Sequence, residues 1–122
     1  MSTITLYNFP QSTCSQKVRL LMWEKGIPYE DRIVDHKNRE HLTDWYLSLN
    51  PNGVVPTITH GDDVIVDSSV IMEYLEEIFP DHPMSPADPV GRAHMRKWLR
   101  YLEEVPTPAI RVPSFNKYLA KR

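Results

Sequence analysis

Polar and apolar positions change period several times along the chain, and the changes mark the elements. Thr3 to Tyr7 alternates, with Ile4 and Leu6 on one face, and predicts a strand. Asn8 to Ser12 contains Pro10 and reads as a loop. Thr13 and Gln16 stand at capping-box spacing and predict a helix start. Cys14, Val18, Leu21 and Met22 form the inner stripe of that helix, and Gly26 stops it. Tyr29 to Val34 predicts a second strand. Leu42, Trp45, Tyr46 and Leu49 recur at helical spacing until Asn50-Pro51. Thr57 to Thr59 and Val64 to Val66 predict a hairpin around His60 to Asp63. Ile71, Tyr74, Leu75 and Ile78 mark a third helix, closed by Pro80.

The resulting order is β-α-β-α-β-β-α. A helix between the first two strands implies a parallel, right-handed crossover, and the later hairpin adds antiparallel strands. The order resembles that of a thioredoxin-like α/β domain with a four-stranded mixed sheet, assigned to residues 1–80. Pro80, Pro83, Pro86 and Pro89 cluster around a linker at 81–90. Residues 91–122 read as a short helical segment. In it Met95, Trp98, Leu99 and Leu102 form an amphipathic stripe, and Pro106, Pro108 and Pro113 are expected to break the chain. Phe115, Tyr118 and Leu119 suggest one more short helix.

Composition narrows the class. A chain of 122 residues can build one domain with a real core, and 41% hydrophobic with 25% charged residues is a soluble, globular balance. The net charge of -2 comes without a basic stripe, so nucleic acid is excluded as an expected partner. The apolar runs are too short to span a membrane, and the N-terminus reads as a strand rather than a signal peptide. The single cysteine, Cys14, forms no internal disulfide and suits a reducing cytoplasm. Five scattered histidines give no zinc-site spacing, and no metal is expected.

Several short stretches carry candidate chemistry, each with a plainer alternative. Ser12-Thr13-Cys14-Ser15 lies where a strand hands over to a helix, and unpaired amides at a helix start stabilise a thiolate. Small polar residues there are also ordinary caps, and Cys14 is also a packing residue on the Val18 stripe. Val55-Pro56 stands at the start of a strand facing that helix end. A cis bond would present the Val55 backbone to a peptide, whereas most such prolines are trans. Asp67-Ser68 precedes the third helix, where a carboxylate can be held by amides and an ammonium by Asp67; either residue can equally be a cap. His36, Lys37, Arg39 and His41 crowd the approach to the second helix and could meet a second carboxylate, or form a solvated face.

Taken together, the stretches 12–20, 50–57 and 67–77 resemble the glutathione transferase superfamily in register across the N-terminal domain. Ser12-x-Cys14 is similar to the motif of zeta-class isomerases and reductive dehalogenases. Asp44-Trp45-Tyr46 and the stretches 86–89 and 92–98 are similar to bacterial β-aryl etherases. The resemblance implies glutathione as co-substrate, a small electrophile as its partner, detoxification chemistry and a homodimer. It implies catalytic roles at Ser12 and Cys14, with Ser12 donating to the glutathione sulfur. The implied glutathione contacts are Ser12, Thr13, His41, Val54, Val55, Pro56, Asp67 and Ser68. Val55 would pair with the cysteinyl backbone, and Asp67 and Ser68 would hold the γ-glutamyl end. Val54 departs from the pattern, since many relatives carry glutamine or lysine there. The family also has a longer helical second domain, so 91–122 is expected to be its truncated start. Three readings stay open: a transferase or its N-terminal part, a redox module using Cys14, and a non-catalytic glutathione-binding domain.

Overall fold

The computed structural model describes residues 2–119, which divide into two compact units between His82 and Pro83. The first unit carries strands β1 (Ile4–Asn8), β2 (Glu30–Ile33), β3 (Thr57–His60) and β4 (Asp63–Val66). Its helices are α1 (Thr13–Lys25), α2 (Asp44–Leu49) and α3 (Ser68–Ile78). The sheet order is β2-β1-β3-β4, with β1 parallel to β2 and antiparallel to β3. This is the expected thioredoxin-like α/β arrangement with a four-stranded mixed sheet.

The alternation in β1 is realised as burial. Ile4, Leu6 and Asn8 are buried, and Ile4 and Leu6 pack against Val18, Leu21 and Met22 of α1 and Ile71 and Leu75 of α3. The edge strand β2 is exposed along its length and carries Glu30, Asp31 and Arg32. Charge on an open edge discourages pairing with another chain. Gly26 ends α1 in the left-handed region at φ 65°, a conformation that costs a side-chain-bearing residue.

Three local expectations are corrected. Ser12, not Thr13, caps α1, and the buried stripe runs through Ser15, Val18, Leu21, Met22 and Lys25. Cys14 is therefore half-buried beside the core rather than in it. Helix α2 has six residues, too few for an i to i+7 stripe. Leu42 falls in a separate 3-10 turn, Glu40–Leu42, and extended Thr43 divides the two, so Tyr46 alone is fully buried while Leu42 and Trp45 are exposed.

The second unit holds α4 (Pro89–Glu104) and α5 (Pro106–Ser114), followed by a π-helical turn at Phe115–Leu119. Helix α4 ends just before Pro106, as expected of the proline run, but Pro106, Pro108 and Pro113 then all lie within α5, Pro113 in its interior. Pro89 and Pro106 occupy first-turn positions, where an amide has no intrahelical acceptor to lose, and Pro108 is still within the first turn of α5. Asp88 caps α4 by accepting the Gly91 amide at 2.8 Å. Within this unit Trp98 packs edge-on against Tyr101, with ring centroids 5.8 Å apart.

Lys25 closes α1 with its side chain wholly buried. Its ammonium donates to Glu76 Oε2 at 2.7 Å and to the His82 carbonyl at 2.8 Å, tying α1 to α3. Removing the anion leaves a buried cation with only a carbonyl partner. Glu76→Ala should therefore cost about 3 kcal/mol of stability, read from the urea midpoint at constant m-value. The double replacement Lys25→Met with Glu76→Leu should cost far less. Equal losses in both variants would refute the ion pair as the cause.

Candidate functional site at one end of the sheet

The site follows from strand register. Thr57 pairs with Tyr7 on one side and with Val66 on the other. Those three residues lie at the end of β1, the start of β3 and the end of β4. The segments just beyond them are the Ser12 turn, Val55-Pro56 and Asp67. Three separated stretches of sequence thus meet at one sheet end. Lys17 Nζ donates to Ser69 Oγ at 3.2 Å, joining the early turns of α1 and α3 on the same side.

At the α1 terminus the Ser12 Oγ accepts the Ser15 amide at 3.1 Å, and the Ser12 carbonyl accepts the Gln16 amide at 2.9 Å. The amides of Thr13 and Cys14 have no helical carbonyl four residues back to bond and carry the positive end of the helix dipole. The Ser12 hydroxyl accepts but does not donate in this cap, so its proton remains available. Ser15 is fully buried against Phe9, whose amide donates to Ser15 Oγ at 3.4 Å.

Asp67 caps α3. One carboxylate oxygen, Oδ1, accepts the amides of Ser69 at 3.0 Å and Val70 at 3.2 Å. The other oxygen has no partner among the described residues. Asp67 adopts φ 73° and ψ 123°, a conformation that costs a non-glycine residue about 1–3 kcal/mol. A glycine would relieve that strain but remove both the cap and the charge. Ser68, the first residue of α3, is almost completely buried.

Between these termini, Val55-Pro56 is cis. Val55 is half-buried, and its amide and carbonyl have no hydrogen-bond partner among the described residues. The preceding carbonyl is differently placed. Tyr46 Oη donates to the Val54 carbonyl at 2.6 Å, and Asn50 Nδ2 donates to it at 3.0 Å. Asn50 Nδ2 also donates to Thr57 Oγ1 at 3.0 Å, and Thr57 Oγ1 lies 3.0 Å from Tyr46 Oη. Tyr46, Asn50 and Thr57 are all fully buried. Burial holds the Tyr46 phenol above its ordinary value of 10.0, so it stays a neutral donor. Sequence reasoning missed this cluster: Asn50 read only as a helix stop and Thr57 only as a strand residue.

His41 lies in the 3-10 turn beside the same loop. A Cβ at Gly53, where φ is 61°, would come 3.2 Å from the His41 carbonyl. The His41 ring stacks on His36 with centroids 4.1 Å apart, and His36 packs on Phe9 at 4.5 Å. Among the described residues His41 Nδ1 is buried without a hydrogen-bond partner, while His36 Nδ1 lies 3.1 Å from the Val34 carbonyl. Burial is the main cause lowering both histidines below 6.5; the charges of His36 and Arg39 lower His41 further. Val54 has an exposed side chain, and Pro56 is buried.

A helix terminus, an unpaired peptide edge and a capping carboxylate with one free oxygen thus lie at the same end of the sheet. Residues 11–78 match the family described as glutathione S-transferase, N-terminal domain. The chain belongs to that family. It is 39% identical over 104 residues to Protein LigF of Sphingobium sp., covering 84% of this chain and 40% of that protein. It is 48% identical over 88 residues to Glutathione S-transferase 1 of Dianthus caryophyllus, covering 72% of this chain and 40% of that protein. The crystal structure of the β-etherase LigF from Sphingobium superposes with a TM-score of 0.89 at 34% identity, over 96% of this chain and 49% of that one. A glutathione transferase homologue from sulfitobacter, solved with bound glutathione, gives a TM-score of 0.79 at 31% identity, over 85% of this chain and 50% of that one. The chain thus spans 40% of the length of both curated relatives.

The histidine pair has a consequence for stability. Both pKa values are lower folded than unfolded, so the unfolded chain binds more protons as pH falls through 6.5. Stability should be full above pH 7.5 and decline between about 7 and 5. Asp35 and Glu40 are also lowered, but from carboxylate values, so their contribution is lost only in a separate window below about pH 4.5. Urea midpoints measured from pH 5 to 8 should show the upper decline, and His36→Asn with His41→Gln should flatten it. An unchanged slope in the double variant would rule the pair out as its source.

Proposed function

We propose that this chain binds glutathione at the sheet end and stabilises its thiolate for transfer to a small electrophile. The observation that carries this reading is the register that gathers Ser12, Val55 and Asp67 at one end of the sheet. Ser12 would donate its free hydroxyl proton to the sulfur while its oxygen still accepts the Ser15 amide. The Thr13 and Cys14 amides would add the field of the helix terminus. Val55 would pair with the cysteinyl backbone beside Val54 and Pro56, and the free Asp67 oxygen would take the γ-glutamyl ammonium. Amides at the start of α3, with Ser68, would take the γ-glutamyl carboxylate. His41 would stand toward the glycyl end. A single half-buried thiol fits a reducing cytoplasm.

Cys14 supports a second reading. It lies in the first turn of α1, half-buried and outside the core stripe. Its thiolate could attack glutathione disulfide, forming a mixed disulfide and releasing one glutathione. The two readings separate on mutation. Ser12→Ala should raise the pKa of bound glutathione by about 1–2 units, since one bond to a charged sulfur contributes about 1.5–3 kcal/mol. It should also cost about 1 kcal/mol of stability through the lost cap. Cys14→Ala should leave that pKa unchanged. Thiolate absorbance against pH reads both; no rise in the Ser12 variant, with glutathione captured on Cys14, overturns the transferase reading.

Asp67 carries a cap and a charge, and Asp67→Asn separates them. The asparagine oxygen can still accept the Ser69 and Val70 amides, but the charge is gone. Glutathione affinity measured by calorimetry should fall by about 1.5–3 kcal/mol. Stability should fall much less than in Asp67→Ala. Unchanged affinity in the asparagine variant would remove Asp67 from the site.

A further inference from the structure

The buried polar cluster beneath the Val55 loop is a closed ring of hydrogen bonds. Tyr46 Oη gives its only proton to the Val54 carbonyl at 2.6 Å. The contact between Tyr46 Oη and Thr57 Oγ1 at 3.0 Å must then be donated by threonine. Thr57 Oγ1 in turn accepts one Asn50 amide proton, and the second Asn50 proton goes to Val54. Asn50 Oδ1 accepts the Asn52 amide at 3.0 Å, which sets the orientation of the Asn50 side chain. Every donor in the ring is used, in surroundings where an unused one would be costly.

The ring has a directional effect outside itself. Val55-Pro56 is the cis bond of the described chain, so the peptide joining Val54 to Val55 is trans. In a planar trans peptide the C=O and the next N–H point in opposite directions. The Val54 carbonyl is held inward by two donors. The Val55 N–H is therefore held pointing away from the ring, and it has no partner among the described residues. We infer that Tyr46, together with Asn50 and Thr57, is a positioning residue that aims the Val55 amide at the cysteinyl carbonyl of glutathione. The inference rests on the glutathione reading above and adds to it the residues that set the direction of one recognition bond. The phenol hydroxyl is the decisive group: a phenylalanine fills the same space but releases the Val54 carbonyl from one of its two donors and leaves Thr57 without an acceptor.

The test is a calorimetric cycle on the full chain. Glutathione and an analogue whose cysteinyl carbonyl is reduced to a methylene are titrated into the wild type and Tyr46→Phe. The variant should raise the glutathione Kd about tenfold, equivalent to about 1.4 kcal/mol. It should leave the Kd of the analogue within about twofold, because the analogue offers the Val55 amide nothing to bind. The pKa of the bound glutathione thiol should not move. A general loosening of the fold would weaken both compounds alike, and that result overturns the inference, as does an unchanged glutathione Kd. Should Tyr46→Phe lose its native circular dichroism, Thr57→Val and Thr57→Ser replace it. The valine variant should weaken glutathione selectively and the serine variant should not, and equal behaviour of the two overturns the inference. A wild type that binds no glutathione overturns the proposed function and this inference with it. A wild type that binds, with unaffected variants, overturns this inference alone.

Discussion

Thr57 is paired on both sides, with Tyr7 in β1 and with Val66 in β4, and this double register sets where everything else at the site can be. A slip of one residue in either pairing would reverse the faces of β3 and expose Ile58, which is fully buried. Burial of one face thus fixes the register. The register fixes that the Ser12 turn, the Val55 loop and the Asp67 cap emerge together. Side chains more than fifty positions apart are brought within working distance by a hydrophobic constraint that none of them shares.

Two helix ends then supply electrostatics without a full positive charge. At each, a polar side chain satisfies part of the terminus: Ser12 takes the Ser15 amide, and Asp67 takes those of Ser69 and Val70. In both cases the capping side chain keeps something in reserve, a hydroxyl proton on Ser12 and a second carboxylate oxygen on Asp67. One group therefore holds the fold and can still face a bound molecule. Asp67 does this in a backbone conformation that favours glycine, so the acidic side chain is retained against local strain.

Between the two ends, polar groups are buried where apolar ones would have been simpler. Tyr46, Asn50 and Thr57 are fully buried, yet each is hydrogen-bonded to another or to Val54. Three apolar residues of similar volume would fill the space without desolvating a phenol, an amide and a hydroxyl. What they would lack is direction: packing forces do not orient a carbonyl, and hydrogen bonds do. The neighbouring histidine column, from Phe9 through His36 to His41, contributes packing to the same wall and makes it sensitive to protonation.

The sequence by itself determined the element order, the parallel crossover, the hairpin and the sheet's mixed character, because each rests on local period and on turn residues such as Gly26 and Gly61. It also marked Ser12, Val55-Pro56 and Asp67, since helix ends and prolines leave local signatures. Tertiary structure decided what those signatures could not. Ser12 rather than Thr13 became the cap, and Ser15 displaced Cys14 from the core, because the rotation of α1 is set by what it packs on. Helix α2 lost its long stripe because the chain had to turn at Thr43 to bring Tyr46 under the Val55 loop. Pro106 and Pro108 entered α5 because first-turn amides need no acceptor, a fact that proline spacing alone does not reveal, whereas Pro113 lies inside the helix and removes one of its amide donors. The Tyr46–Asn50–Thr57 ring was illegible for the same physical reason as the site itself: its bonds join positions in a helix, a loop and a strand, and only packing decides which polar side chains meet.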